Sequence, residues 1–209
     1  MNILEKSGLE IIAKLMAVSG RTAPKSGGID HVRIIIAGSR EQKSIAATMK
    51  KIGEEICRKL SDNKLGKAVR LDWQSDARTI TESGLLMLIG VEGRKILGLN
   101  CGGCGFPACS QMLKYPRVSL AESMLSGPYC IFKVMDLSIA VGSAAKTAME
   151  HNVDNRLMYK AGVAALRLGI LKPCDLIIGI PLSETGKNIY FDRPDKLEAW
   201  KIIKANKNK

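Results

Sequence analysis

Apolar residues fall at helical spacing from the start of the chain: Leu4, Leu9, Ile11, Ile12, Leu15, Met16 and Val18, with Glu5, Lys6, Glu10 and Lys14 between them. That period predicts an amphipathic helix over residues 2–19. After the turn-rich stretch GRTAPKSGG (20–28) the pattern changes, and HVRIIIAG (31–38) is a short β-branched run that reads as a buried strand. Ser39 is placed to cap a helix running to about Leu60. QSDARTITESG predicts a short helix ending at Gly84, and LLMLIGV (85–91) a second buried strand. MDLSIAVGSAAKTAMEH (135–151) and NRLMYKAGVAALRLG (155–169) read as two helices with Gly and Ala gathered on one face, which permits close helix–helix approach. CDLIIGIPLS (174–183) is the last strand, followed by the loop ETGKNIYFDRP and a tail helix. Helices alternating with apolar strands predict an α/β or α+β fold with a covered sheet.

Composition narrows the class. With 209 residues, 46% of them hydrophobic and 25% charged, the chain has the balance of a globular protein and the size of one domain spanning 1–209. No apolar run reaches the roughly eighteen residues of a membrane-spanning helix. The start is charged throughout its apolar stripe, unlike a signal peptide, so the expected location is cytoplasmic. The net charge of +12 raises the question of nucleic acid. The cations are dispersed, however, aromatics are 4%, and no zinc-finger or RNA-recognition signature is present, which argues against such a partner. The tail KLEAWKIIKANKNK reads as a basic helix with a frayed end. A basic surface also suits an acidic electron-transfer partner, reached by long-range steering. No Ser–His–Asp set or paired-carboxylate site supports hydrolase chemistry.

The distinctive chemistry lies in NCGGCGFPACSQM, residues 100–112, which holds three of the six cysteines. The spacing is Cys101-x2-Cys104-x4-Cys109, and Cys130 follows after twenty residues. Four thiolates are what a [4Fe–4S] cube needs, and Gly102, Gly103 and Gly105 let the backbone fold closely around one. Pro107 stiffens the path between the second and third ligands. Zinc is the competing reading, although structural zinc sites pair two close knuckles and here the fourth cysteine stands apart. His31 and His151 lack knuckle spacing. A disulfide knot conflicts with a reducing compartment. Cys57 and Cys174 read as small core residues, and Cys130 as either the fourth ligand or a packed cysteine.

CGGCGFPAC with a later PYC, then DLSIAVGSAAK, VDNRLMYKAGVAALRLG and GIPLSETGKN-x2-FDR, resembles a family of ferredoxin-domain proteins of bacteria and archaea. The cysteine segment itself, taken as 98–134, is similar to the C-x2-C-x4-C four-iron domain of corrinoid iron–sulfur proteins and of membrane electron-transport complexes. That resemblance implies a cluster held by Cys101, Cys104, Cys109 and Cys130; such a cluster would pass single electrons, and the acidic partner that the basic surface suits would be a protein such as a ferredoxin. The frame around the segment resembles the flavin-dependent nitroreductases. A first helix leads to an arginine-bearing loop (Arg21 and APKSGG), then HVRIIIAG, and later a small-residue helix and AALRLG before IIGIPLS. This second likeness implies an α+β, α/β/α layered fold with a mixed sheet flanked by helices, and a homodimer. It also implies an FMN site to which Arg21, Lys25, Lys187, Asn188 and Arg193 contribute, which would make the protein an oxidoreductase.

Overall fold

The computed structural model describes residues 3–207. Its elements, in chain order, are α1 (Ile3–Thr22), a 3-10 turn (Ser26–Gly28), β1 (Val32–Ala37), α2 (Ser39–Lys59), α3 (Asn63–Glu82), β2 (Leu85–Val91), α4 (Cys109–Lys114), α5 (Ile131–Glu150), β3 (Asp154–Asn155), α6 (Tyr159–Arg167), β4 (Leu176–Ser183) and α7 (Pro194–Lys207). The expected helix over 2–19 is found from Ile3 and runs one turn further, while Asn2 and the end of the tail at 208–209 lie outside the described residues. Strand boundaries shift by at most two residues from those expected, and the order of the strands in the sheet is β1-β2-β4-β3.

Among the described strands every pairing is antiparallel, so the sheet has no parallel pair of the kind a mixed sheet implies. The connectivity gives the reason. Two long helices of similar length, α2 and α3, join β1 to β2, and an outbound helix followed by a returning one brings the chain back to the edge it left. The sheet is apolar on both faces, as a sheet covered on both sides must be. Leu86 and Leu88 point with Ile177 into a core shared by α2, α3 and α6, around Ile45, Met49, Ile52, Trp73, Ile80 and Ala164. Met87, Ile89 and Val91 point the other way, with Ile180 and Leu182, toward Leu9, Met16, Leu137 and Ala144 of α1 and α5. The result is the α+β, three-layered arrangement.

The small-residue faces serve two different contacts. On α5, Ala140 and Ala144 receive Gly20 of α1, where an added Cβ would lie 3.3 Å from the Ala140 carbonyl oxygen, so this is the close helix–helix approach expected. On α6 the partner is a strand. A Cβ on Gly162 would stand 1.7 Å from the Ile177 carbonyl oxygen, and Gly179 of β4 faces Ala161 in the same seam.

Several helices differ from expectation: α5 opens earlier, at Ile131, and α6 only at Tyr159, because Asn155 pairs with Leu182 as part of β3. α3 begins at Asp62, whose side chain accepts from Leu65 N at 2.9 Å as an N-cap, and so is far longer than a short helix ending at Gly84. At α2 the cap is Gly38, its N–H bonded at 2.8 Å to Glu41, with Ser39 as the first helical residue. The tail helix is present as α7. No helix among the described residues is long and apolar enough to cross a membrane.

Candidate functional site

The cysteine segment leaves the sheet where β2 ends and returns to it where α5 begins, and one residue of β4's approach fastens both ends. Asp175 accepts from Gly93 N at 2.6 Å through Oδ1 and pairs with Arg117 at 2.5 Å through Oδ2. Its carbonyl accepts from the Tyr129 hydroxyl at 3.0 Å, which in turn accepts from Ser126 N at 2.8 Å. Burial raises the Tyr129 phenol above its ordinary pKa, so it remains a donor. Gly93 must lack a side chain here, because a Cβ would meet the Tyr129 ring at 2.6 Å. The Gly93 carbonyl then accepts from Cys130 N at 2.8 Å, and Cys130 becomes the N-cap of α5.

Within the loop, Asn100, Gly102 and Gly105 all have positive φ (48°, 74° and 87°), and Gly105 N closes a turn onto the Gly102 carbonyl at 2.9 Å. Asn100 is bonded twice to Cys109: its side-chain oxygen accepts from Cys109 N at 2.9 Å and its own N–H donates to Cys109 Sγ at 3.3 Å. Gly103 is the contact with the rest of the fold. A Cβ there would lie 2.7 Å from Ile131 Cγ2 and 3.6 Å from Cys101 Sγ. The loop carrying three cysteines therefore rests on the first helical residue after the fourth. Cys101 is exposed, Cys104 and Cys109 are half-buried, and Cys130 is buried.

All six cysteines are unbridged thiols. Among the described residues no three His, Cys, Asp or Glu side chains converge closely enough to hold a metal ion, so the four thiols are neighbours along one loop and one helix start. Their donor chemistry, sulfur without imidazole or carboxylate, is nonetheless that of an iron–sulfur or zinc site, and the Asn100 N–H already addresses one sulfur. The two remaining cysteines are of another kind. Burial pushes the Cys174 thiol up to about 12, so it keeps its proton, and Cys57, in the last turn of α2, packs against Gly66 of α3.

The residues expected at a flavin occupy two places. Arg21, in the last turn of α1, and Lys25, just after it, stand together. Arg21 bonds Asp30 at 2.6 Å and the Val32 carbonyl at 2.7 Å, and Lys25 caps the end of α1 through the carbonyls of Gly20, Arg21 and Ala23. Partial burial lowers the Lys25 pKa, against the pull of Asp30. Lys187 is exposed and paired with Asp192 at 2.6 Å, while Asn188 bonds Asp154 at 2.9 Å. Arg193 turns inward: it is 5% exposed and donates to Asp76 Oδ1 at 2.6 Å.

Sequence reasoning missed that last environment. Asp72 and Asp76, one turn apart on α3, are buried with Lys160 of α6 and Lys196 of α7. Trp200 of α7 donates its indole N–H to Asp72 at 3.0 Å. Burial raises the Asp76 carboxyl, and the surrounding cations overcome that and hold it below its ordinary value. A second buried pair was equally silent. Lys133 donates to Asp136 at 2.7 Å, and Asp136 accepts from Ser26 N and Oγ, both at 2.7 Å. The first turn of α5, three residues past Cys130, is thus tied to the RTAPKSGG loop. The available signal was spacing: Lys133 and Asp136 stand three apart on one helix, and the acids Asp72 and Asp76 four apart on another whose remaining face is apolar.

Residues 126–193 match the family described as "Uncharacterized protein containing a ferredoxin domain". An uncharacterized protein of Archaeoglobus fulgidus is 38% identical over 192 residues, which cover 92% of this chain and 95% of that one. Among solved structures, a BluB-like flavoprotein from Clostridium difficile aligns with a TM-score of 0.58 at 13% identity, covering 90% of this chain and 86% of the other. A nitroreductase with bound FMN from Desulfitobacterium hafniense gives 0.50 at 13% identity, with 90% and 85% covered. At such identity the likeness speaks of fold, and the fold is nitroreductase-like.

Proposed function

Because this chain belongs to the family of uncharacterized ferredoxin-domain proteins, we propose that it is a redox protein that holds one [4Fe–4S] cluster on Cys101, Cys104, Cys109 and Cys130 and passes single electrons. The observation that carries the reading is the seat of Gly103 between Cys101 Sγ and Ile131, which lays the three-cysteine loop on the helix that Cys130 opens. When bound, the cluster supplies one-electron chemistry, and the protein sets its position and potential. The Asn100 N–H donates to Cys109 Sγ, and hydrogen bonds to sulfur are one means by which such sites set a cluster's potential. Asp175 and Gly93 fix both ends of the segment, so ligand geometry is coupled to the sheet.

The redox partner in this reading is an acidic protein, a ferredoxin among the candidates, drawn by the +12 charge. Raising ionic strength from about 0.05 to about 0.5 M should slow reduction by such a donor by roughly tenfold, and a rate indifferent to salt removes the steering argument. The location is cytoplasmic, where thiols stay reduced.

A second reading rests on the nitroreductase-like fold and on the FMN bound by the Desulfitobacterium relative: an oxidoreductase in which the cluster feeds a flavin. Arg21, Lys25, Lys187 and Asn188 would contribute to that site, whereas Arg193 is engaged by Asp76. A second copy of the chain would cover Ile11, Leu15 and Val18, an exposed apolar stripe on α1. A single anaerobic preparation tests these readings together. Its absorption before and after dithionite, with iron, zinc and flavin assayed and its mass sized on a column, should show a broad band near 400 nm that bleaches and about four irons per chain. About one zinc and no iron would overturn the electron-carrier reading. Stoichiometric flavin would favour the enzyme.

A further inference from the structure

We infer that the end of the sheet beside the cysteine segment is a binding site for a small oxyanion, a carboxylate or phosphate compound. A cavity of about 540 Å³ opens there, lined by His31, Glu92, Arg94, Lys95, Leu113 and Arg117 together with Ile96, Pro173 and Asp175. That volume is within the range of pockets that take small molecules.

The charge balance of the lining is positive where it is free. Glu92 is met by Arg33 at 3.6 Å and Asp175 by Arg117 at 2.5 Å. Among the described residues Arg94 and Lys95 have no carboxylate partner. Arg94 is also held rigid. Its Nη2 donates to the carbonyls of Met112, Leu113 and Tyr115 at the end of α4, at 2.9, 2.5 and 3.2 Å. Its other amino group, Nη1, is buried without any partner, and so is Nδ1 of His31. A buried polar nitrogen left unpaired costs about 1–3 kcal/mol, and of the two here the guanidinium Nη1 can only donate, so it calls for an acceptor. A guanidinium anchored by one nitrogen, with the other left without a partner, retains donors of the kind that carboxylates and phosphates select. Ile96, Leu113 and Pro173 give the remaining wall an apolar character, suited to the carbon body of an organic acid or ester.

The position gives the site consequence. Arg94 clamps the helix that Cys109 opens, and its neighbour Gly93 accepts from Cys130 N. An anion seated on Arg94 would touch the frame of two proposed cluster ligands, while binding itself does not require the cluster.

The test is a titration of the full-length protein with inorganic phosphate and, separately, with malonate, followed through the imidazole resonances. The chain has 2 histidines, His31 and His151, so the second is an internal control. His31 should shift saturably at millimolar anion while His151 stays still. Saturation by phosphate alone assigns a phosphoryl ligand, by malonate alone a carboxylate, and by both a general oxyanion seat. Lys95→Gln, exposed and without a bond to α4, should weaken binding by about threefold to tenfold, and Arg94→Gln should abolish saturation. Lys50→Gln, far along α2, should leave it unchanged. No saturable shift below about 50 mM overturns the inference, as does equal movement of both histidines or equal weakening by Lys50→Gln. Iron assayed on the same variants keeps this outcome separate from that of the cluster reading.

Discussion

Cys130→Ala should strip the protein of iron while leaving its fold intact. The expected result is at least a tenfold fall in the dithionite-bleachable band, with a thermal transition close to that of the parent. The separation follows from what each part of Cys130 does. Its backbone N–H, bonded to Gly93, sets the start of α5, and alanine keeps that bond. The residue is 6% exposed, and trimming one sulfur from such a site leaves a small cavity that costs about 1 kcal/mol. A role as a packed cysteine therefore predicts a modest loss of stability with full iron, and a role as ligand predicts the reverse.

Cys57→Ala and Cys174→Ala complete the experiment. Cys174 packs beside Gly90 and holds its proton up to about 12, so it offers no thiolate at neutral pH. Both variants should keep their iron. If Cys130→Ala keeps about four irons per chain while Cys57→Ala loses them, the ligand set is wrong and the three-cysteine loop has recruited a different fourth donor.

These expectations rest on how much of the molecule its sequence discloses. The strands β1, β2 and β4 were legible because uninterrupted β-branched and aliphatic runs have few other uses in a chain of this charge. The cysteine loop was legible because its ligands are local. α3 was not. Its buried residues include Gly66, Ala68, Asp72, Trp73, Asp76, Ala77 and Ile80, and a pattern that counts hydrophobic residues loses the stripe wherever a small or charged residue occupies it. The same blindness hid the ion cluster, since Asp72 and Asp76 look like a solvated helix face until Lys160 and Lys196 arrive from far along the chain. The tail was read simply as a basic helix with a frayed end for a similar reason, yet Lys196 and Trp200, four apart, both turn toward Asp72. Short-range periodicity identifies elements. It does not say which charges a distant element will neutralise.

That ion cluster supplies the second large effect, because Asp76→Asn should be among the most destabilising single substitutions in the protein. Asp76 receives Lys160 at 2.7 Å and Arg193 at 2.6 Å, and Lys196 as well, in a site where its own side chain is 5% exposed. Removing one charge from a buried set leaves the others uncompensated, at a cost of about 3–5 kcal/mol. For a chain of this length each kcal/mol is worth roughly 2–4 °C, so the thermal midpoint should fall by about 6–20 °C. Losing an exposed pair such as Arg78–Glu82, half open to solvent on both sides, should move it by almost nothing. The dependence on pH has a definite sign. Burial raises the Asp76 carboxyl, but Lys160 and Lys196 hold it below its ordinary value of 3.8, so the unfolded chain binds more protons there than the folded one. The stabilisation from this group is therefore complete above about pH 4 and is lost as the pH falls through the lower native value. The gap between parent and Asp76→Asn should be constant from about pH 5 to 8 and close on acidification below about 4. Adding Lys196→Met to Asp76→Asn should recover part of the loss, since it removes one of the orphaned cations from α7 and keeps an apolar stem. A midpoint within about 3 °C of the parent at neutral pH would mean that water reaches the cluster and carries the charge instead.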